Sequence, residues 1–382
     1  MTWAIPFNKP YVTGNELDYV ARAIAQGNVS VDGTFTEACS RLLEERFGIH
    51  RVLLTGSCTS ALEIAALLCD LAPGDEVIMP SFTYVATASA FARAGLRPVF
   101  VDIRPDTLNL DEDKVAAAIT DRTRALVPVH YAGISCEFGP LLALARERGL
   151  RIVEDAAQGV NATWSGRHLG AIGDLAGYSF HETKNYACGQ GGALCINDPE
   201  LVERAEVLRD RGTNRKQFFR GEVRGYTWVD SGSSYAQSEL LCAYLLAQLE
   251  AMDEISAVRA RIHGWYREQL LPLEQRGLLR LPVVPEGVEG NHHLFYVLLP
   301  DEATRAGLIH FLADRGIQAV AHYMPLHESP MGRKLSPPAD LPVTDDVHRR
   351  LLRLPLFNDL TEEEVTRVSK TVAEFLERPV VA

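Results

Sequence analysis

The chain has 382 residues, 47% of them hydrophobic and 23% charged, enough apolar material for a large α/β domain plus a smaller one. Its 50 acidic and 38 basic side chains leave a formal net charge of -12, which argues against nucleic-acid partners because those need a basic footprint. An anionic small ligand is still allowed, since one pocket of an acidic protein can be basic. Cysteines stand at Cys39, Cys58, Cys69, Cys136, Cys188, Cys195 and Cys242, with no Cys-x-x-Cys pair. That pattern predicts neither a disulfide framework nor a zinc ribbon and suits a reducing cytoplasm. The start lacks a basic-then-apolar leader and no stretch is long enough to cross a bilayer, so no signal peptide and no membrane partner is expected.

From about residue 50 to 200, short apolar runs alternate with helical patterns, the signature of a parallel sheet. Strands are predicted at 52–54, 76–79, 98–101, 125–129, 151–153 and 193–196, with helices at 61–71, 85–94, 115–119 and 140–148 between them. An amphipathic helix follows at 200–211. Residues 212–236 are glycine- and aromatic-rich without periodicity, a loop of functional or interfacial length. A single long helix is predicted over 237–275, leading to strands at 293–299 and 318–323 and helices at 304–315 and 361–377. The expected division is a large domain, 1–245, and a small C-terminal domain, 246–382.

In open α/β sheets ligands gather beyond the carboxyl ends of the strands, so the polar residues there carry the chemistry. The chain has six lysines, and Lys184 stands between an apolar strand-like segment and Gly189-Gln190-Gly191-Gly192. A lysine becomes a nucleophile when desolvation makes it easier to deprotonate, and a strand end supplies that; a capping surface lysine would look the same in sequence. Thr55-Gly56-Ser57-Cys58-Thr59-Ser60 ends a strand and opens a helix, a place where backbone N–H groups and hydroxyls can cradle a phosphate; ordinary N-capping explains it equally. Tyr84 can cover a planar ligand or form a plain rim aromatic. Asp155 ends another strand, where a carboxylate needs a cationic or donor partner or serves as an N-cap, and Gln158 follows one turn later.

A phosphate cradle, an aromatic cover, a carboxylate, an amide and an amine together suit pyridoxal 5'-phosphate. In that order the motifs resemble the DegT/StrS family of sugar aminotransferases, within it most closely the WecE-type dTDP-4-amino-4,6-dideoxyhexose transaminases. The likeness is carried by GDEVIMPSFTYVATA (74–88), VPVHYAG (127–133), VEDAAQGV (153–160), SFHETKNY (179–186) and SSYAQSEL (233–240). It implies an aspartate-aminotransferase-like α/β fold (fold type I) and a homodimer with shared active sites. It makes Lys184 the Schiff-base lysine, Asp155 the partner of the ring nitrogen, and Gln158 the amide beside the phenolic oxygen. Tyr84 becomes the ring cover, and Ser57, Cys58 and Ser179 the phosphate cradle. Ser234 falls in the segment that reaches a partner's active site, where relatives carry Asn; Gln190 replaces a common Glu. His322 and His327 match a segment lining the sugar site, and a metal reading of the pair is set aside because a proline intervenes without a helical frame. His181 is a cofactor or sugar contact, or a core histidine. Arg215 and Arg220 grip a diphosphate or are simply solvated.

The implied reaction moves the amino group of L-glutamate, through pyridoxamine phosphate, to C4 of dTDP-4-keto-6-deoxyglucose, giving a gluco or galacto amino sugar. A 3-aminotransferase is a neighbouring alternative. A dehydratase on the same fold would carry His in place of Lys184, and a non-catalytic sensor would not need Asp155, Gln158 and Lys184 together. Gly189-x-Gly191-Gly192 lacks the strand–turn–helix of a dinucleotide fingerprint.

Overall fold

The computed structural model describes residues 3–378. Nine strands occupy its first part: β1 Arg51–Thr55, β2 Glu76–Pro80, β3 Arg97–Val101, β4 Thr123–Leu126, β5 Arg151–Asp155, β6 Thr163–Trp164, β7 Arg167–His168, β8 Leu175–Ser179 and β9 Gly192–Ile196. Seven of them form one sheet in the order β1-β9-β8-β5-β4-β2-β3, parallel except for β9, which runs antiparallel to both its neighbours. The apolar runs are continuous because both faces are covered. Leu53, Val77, Met79, Val153, Leu175 and Leu194 pack on one side with helices Cys58–Leu68 and Val85–Arg93. Their alternates Leu54, Ile78, Leu126, Ile152, Tyr178 and Cys195 face the other side, beneath helices Thr34–Phe47, Phe138–Arg148 and Glu239–Glu250.

A second, antiparallel sheet has the order β11-β13-β12, with β10 Val288–Glu289 pairing instead with β6, and β11 Phe295–Leu298, β12 Val320–Ala321 and β13 Leu351–Leu354. One face of this sheet, with Phe295, Val297, Leu352 and Leu354, packs under helices Glu302–Ala313 and Glu362–Leu376. The other face carries Tyr296, Leu298 and Leu351 toward Phe82 and Tyr131 of the first sheet. Period-2 alternation puts Arg353, which pairs with Tyr296 across the ladder, on this inner face.

The long helix expected over 237–275 is two helices, Glu239–Glu250 and Met252–Gln275, broken at Ala251 with φ -90° and ψ 13°. The break lets the two halves serve different cores. Cys242, Leu245 and Leu249 pack on the large sheet, whereas Ile262, Tyr266 and Leu270 pack with the small one.

The close approach of β9 to the first strand-end turn requires a glycine. A Cβ at Gly192 would lie 2.3 Å from both the Cys58 nitrogen and the Ser57 carbonyl carbon. Overpacking against backbone, which cannot rotate away, costs about 3 kcal/mol. Gly192→Ala is therefore expected to lower the urea midpoint by a corresponding amount; a variant that unfolds at the wild-type denaturant concentration would contradict this packing.

Candidate functional site

The carboxyl ends of β1, β2, β5 and β8 converge on a cavity of about 570 Å³, which β13 closes from the second sheet. Ser57, Cys58, Tyr84, Asp155, Gln158, Ser179, His181, Lys184 and His322 all line it. So do Thr83, Tyr323 and Arg353.

The cradle forms where β1 turns into helix Cys58–Leu68. The Ser57 side chain accepts a bond from the Ser60 N–H at 3.1 Å, so the predicted N-cap is present. It satisfies only one donor of the first turn, and the N–H groups of Cys58 and Thr59 remain at the helix end without an intrahelical acceptor. Capping and anion binding are thus compatible at this turn. Buried Ser179 ends β8 beside it, and its Oγ accepts from the His181 N–H at 3.4 Å. Burial pushes the Cys58 thiol well above its usual pKa, with Asp155 adding to the effect, so it stays protonated.

Asp155 is held from two sides. Its Oδ2 accepts from Thr87 Oγ1 at 2.6 Å and its Oδ1 from the Ala157 N–H at 3.1 Å, while Thr83 Oγ1 lies 2.8 Å behind Thr87 Oγ1. Among the described residues no salt bridge neutralises this carboxylate, although it is only 5% exposed. A buried carboxyl group so placed suits a cationic or hydrogen-bond-donating partner within the cavity. Gln158 is fixed in one orientation: its Oε1 accepts from the Ala132 N–H at 2.7 Å and its Nε2 donates to the Tyr323 hydroxyl at 3.0 Å. Tyr84 stands just before helix Val85–Arg93 and, at 61% exposed, forms the open rim.

Lys184 sits in the turn between β8 and β9, its backbone N–H donating to the His181 carbonyl at 2.8 Å. The residue keeps some contact with the cavity, yet protein surrounds its amine. Burial pulls the pKa down from 10.5 to about 8, opposed by Cys58 and Asp155 and reinforced by Arg353. His322 is kept neutral by burial and by the charges of Arg353 and Lys184. Its Nε2 accepts from Arg353 Nη1 at 3.1 Å, which leaves Nδ1 to donate to the Tyr131 hydroxyl at 3.2 Å. His181 Nδ1 accepts from the Thr183 N–H at 3.3 Å.

Four residues singled out from sequence lie elsewhere in this chain. His327 Nδ1 bonds Ser81 Oγ at 2.8 Å and its Nε2 faces Asp345 at 3.5 Å, so it buttresses the end of β2 and is not paired with His322. Arg220 is tied to Glu206 at 2.6 Å and Glu222 at 2.7 Å. Arg215 faces Asp210 at 3.6 Å and lies over the Phe219 ring. The Ser234 hydroxyl accepts from Arg211 at 3.2 Å. Sequence reasoning missed Thr87, Tyr323 and Arg353. Tyr323 adjoins His322 and Thr87 lies three residues past Tyr84, so neighbourhood was the available signal; Arg353 offered none.

An open α/β sheet whose strand ends carry a desolvated lysine, an unneutralised buried carboxylate and a helix N-terminus defines a pyridoxal-phosphate enzyme of the aspartate-aminotransferase fold. Residues 10–373 match the DegT/DnrJ/EryC1/StrS aminotransferase family, and the chain belongs to that family. It is 34% identical over 372 residues to the GDP-perosamine synthase of Caulobacter vibrioides, covering 96% of this chain and 97% of that one. The structure of DesI with its TDP-sugar product superposes with a TM-score of 0.88 at 31% identity, covering 99% of this chain and 93% of DesI. The sugar aminotransferase Spr1654 of Streptococcus pneumoniae, in its PLP form, is similar with a TM-score of 0.90 at 26% identity over 98% of each chain. This chain is a sugar aminotransferase and its cofactor is pyridoxal phosphate. The residues fit that cofactor: the cradle suits a phosphate, Asp155 lacks the cation that a protonated ring nitrogen supplies, and Lys184 offers an amine that is partly neutral near pH 8.

The depressed lysine has a stability consequence. The unfolded chain binds a proton at Lys184 up to pH 10.5, the folded one only up to about 8, so between these values stability rises with pH. Below pH 8 the folded protein carries the full penalty. In the cofactor-free protein Lys184→Met is expected to add about 3 kcal/mol at pH 7, fading as the pH approaches 10.5. Urea unfolding of both proteins across that range checks it, and a gain that does not shrink with rising pH would contradict it.

Proposed function

We propose that the enzyme transfers the amino group of L-glutamate to C4 of dTDP-4-keto-6-deoxyglucose, for the biosynthesis of a deoxyamino sugar. The observation that carries the transamination is the Lys184 amine, brought near neutrality by burial inside one cavity with Asp155. The nucleotide sugar is supported by the TDP-sugar product held by DesI.

Bound pyridoxal phosphate supplies a ring that carries the amino group and takes up electrons as the donor's α-proton leaves. Lys184 would hold the cofactor through its amine and, when free, would take the donor's α-proton and return it as a general acid/base. Asp155, steadied by Thr87 and the Ala157 N–H, stabilises a protonated ring nitrogen. Gln158, anchored on the Ala132 N–H, would hold the cofactor from the side of its phenolic oxygen. Ser57, Ser179 and the N–H groups of Cys58 and Thr59 take the phosphate. The same groups act in reverse on the keto sugar.

We further read the chain as a homodimer of shared active sites in the cytoplasm. Arg215, Arg220 and Ser234 stand off their own cavity, and the segment around them exposes Phe219 at 68%, Tyr226 at 55% and Trp228 at 76%. An exposed aromatic surface of this kind favours a partner copy, whose cavity these side chains would then reach. Seven free, buried thiols support the reducing compartment.

Incubation with glutamate and either the dTDP- or the GDP-linked 4-keto-6-deoxy sugar, with NMR of the product, tests the substrate; amination of the GDP sugar alone would shift the nucleotide, in line with the GDP-perosamine synthase. Lys184→Ala should lose both borohydride-trapped cofactor and transamination, and turnover at the wild-type rate would refute the role. Sedimentation should show a dimer that Trp228→Asp weakens; a fully active wild-type monomer would refute the shared site.

A further inference from the structure

Outside the cofactor cavity, one imidazole and two carboxylates gather at a single point. His327 Nε2, a carboxylate oxygen of Glu328 and one of Asp345 lie within 4.8 Å of one another. His327 and Glu328 belong to the turn Leu326–Glu328, and Asp345 to the first turn of helix Pro342–Arg350. Two of the three are held in place by the fold. The His327 ring bonds Ser81 Oγ through Nδ1 at 2.8 Å, and the same oxygen accepts the His327 backbone N–H at 3.0 Å. Asp345 follows Thr344, whose N–H and hydroxyl both bond the buried Asp102 carboxylate, at 2.8 and 2.7 Å. Glu328 is exposed and approaches the pair from the solvent side. The fixed pair is unsatisfied among the described residues. The His327 side chain is only 9% exposed and its Nε2 makes no hydrogen bond; Asp345 Oδ1 is buried and has none either. They face each other at 3.5 Å, whereas a hydrogen bond from nitrogen to oxygen prefers about 2.7–3.2 Å. The separation instead matches one edge of a tetrahedral zinc shell, where two ligands at about 2.0–2.1 Å from the ion lie about 3.3 Å apart.

We propose that His327, Asp345 and Glu328 bind one divalent transition-metal ion of the zinc type, with water completing the shell. Ser81 Oγ can accept from Nδ1–H, which turns the Nε2 lone pair of His327 toward the cluster, the tautomer that a metal needs. An imidazole among the ligands favours zinc over magnesium, which takes oxygen ligands. His322 plays no part, since it lines the cofactor cavity and His327 does not. The ion therefore stands off the reacting atoms and acts on the fold. It would tie the turn Leu326–Glu328 to helix Pro342–Arg350 and, through His327 and Ser81, steady the end of β2, from which the chain runs on to Tyr84 at the cavity rim.

The test uses the cofactor-loaded protein, stripped of metal with a chelator that is then dialysed away, so its outcome is independent of which sugar is aminated. The wild type, Asp345→Asn and Glu328→Gln are titrated with zinc chloride against a zinc-binding chromophore, with magnesium chloride in parallel. The wild type should take up one zinc per chain and bind magnesium at least about a hundredfold more weakly. Asp345→Asn and Glu328→Gln should each weaken zinc at least about tenfold. Zinc should also raise the Tm of the wild type and leave that of Asp345→Asn unchanged, because an ion that binds only the folded state stabilises it. Both substitutions leave the contact between His327 and Ser81 intact, and circular dichroism confirms that the variants are folded when compared. A wild type that takes up no zinc overturns the proposal, and so does equal affinity for zinc and magnesium. Zinc bound by both variants as tightly as by the wild type overturns it as well, since the ion would then sit on other residues.

Discussion

Two groups of opposite charge preference are taken out of water at the same end of one sheet, and the rest of the site follows from how that cost is met. The Asp155 carboxylate accepts hydrogen bonds from Thr87 and a backbone N–H behind it. Lys184 has no hydrogen-bond or salt-bridge partner for its amine among the described residues, so its proton is loosened instead. A direct lysine–aspartate ion pair would be the cheaper solution for folding and would silence both groups. Keeping them unpaired costs stability, and that cost makes the site receptive to a cofactor offering a cation to one and a carbonyl to the other.

The two sheets divide the work by charge. The first sheet contributes a helix N-terminus and hydroxyls, sources of partial positive charge suited to a phosphate. The second contributes a full cation, Arg353, on a strand that also packs a core through Leu352 and Leu354. Because β13 is central in its sheet, with β11 and β12 on either side, Arg353 stands on a rigid support. Two neutral hydrogen bonds, Tyr131 to His322 and Gln158 to Tyr323, then join the two sheets without cancelling any charge.

Much of the first sheet was legible because its strands are buried on both faces, so each reads as an unbroken apolar run next to a polar strand-end residue. Lys184, Asp155, Gln158 and Ser57 could be picked out for that reason. Arg353 could not. It is the one polar residue in a four-residue strand, and only the pairing of β13 with β11 tells which face it takes. Thr87 was hidden in a helix, where a hydroxyl carries no periodic signal. The break at Ala251 was equally silent: alanine continues a helix by propensity, and the two cores to be filled, not the local sequence, interrupt it. Arg215, Arg220, Ser234 and His327 show the converse limit, since a motif can mark a segment without saying whose cavity it lines.

The antiparallel insertion of β9 has a mechanical consequence. Ser179 and Gly192 face each other across the β8–β9 ladder, so the lysine-bearing segment leaves and re-enters the sheet at adjacent points. Two backbone rungs, Phe180 to Gly191 and Glu182 to Gly189, continue the ladder into the turn. The amine therefore rides on a short tether clamped at both ends. It can swing between two neighbouring atoms of a bound molecule without carrying the backbone along, as a proton shuttle must. An added residue anywhere in that tether would change its reach while leaving every strand of the sheet in place.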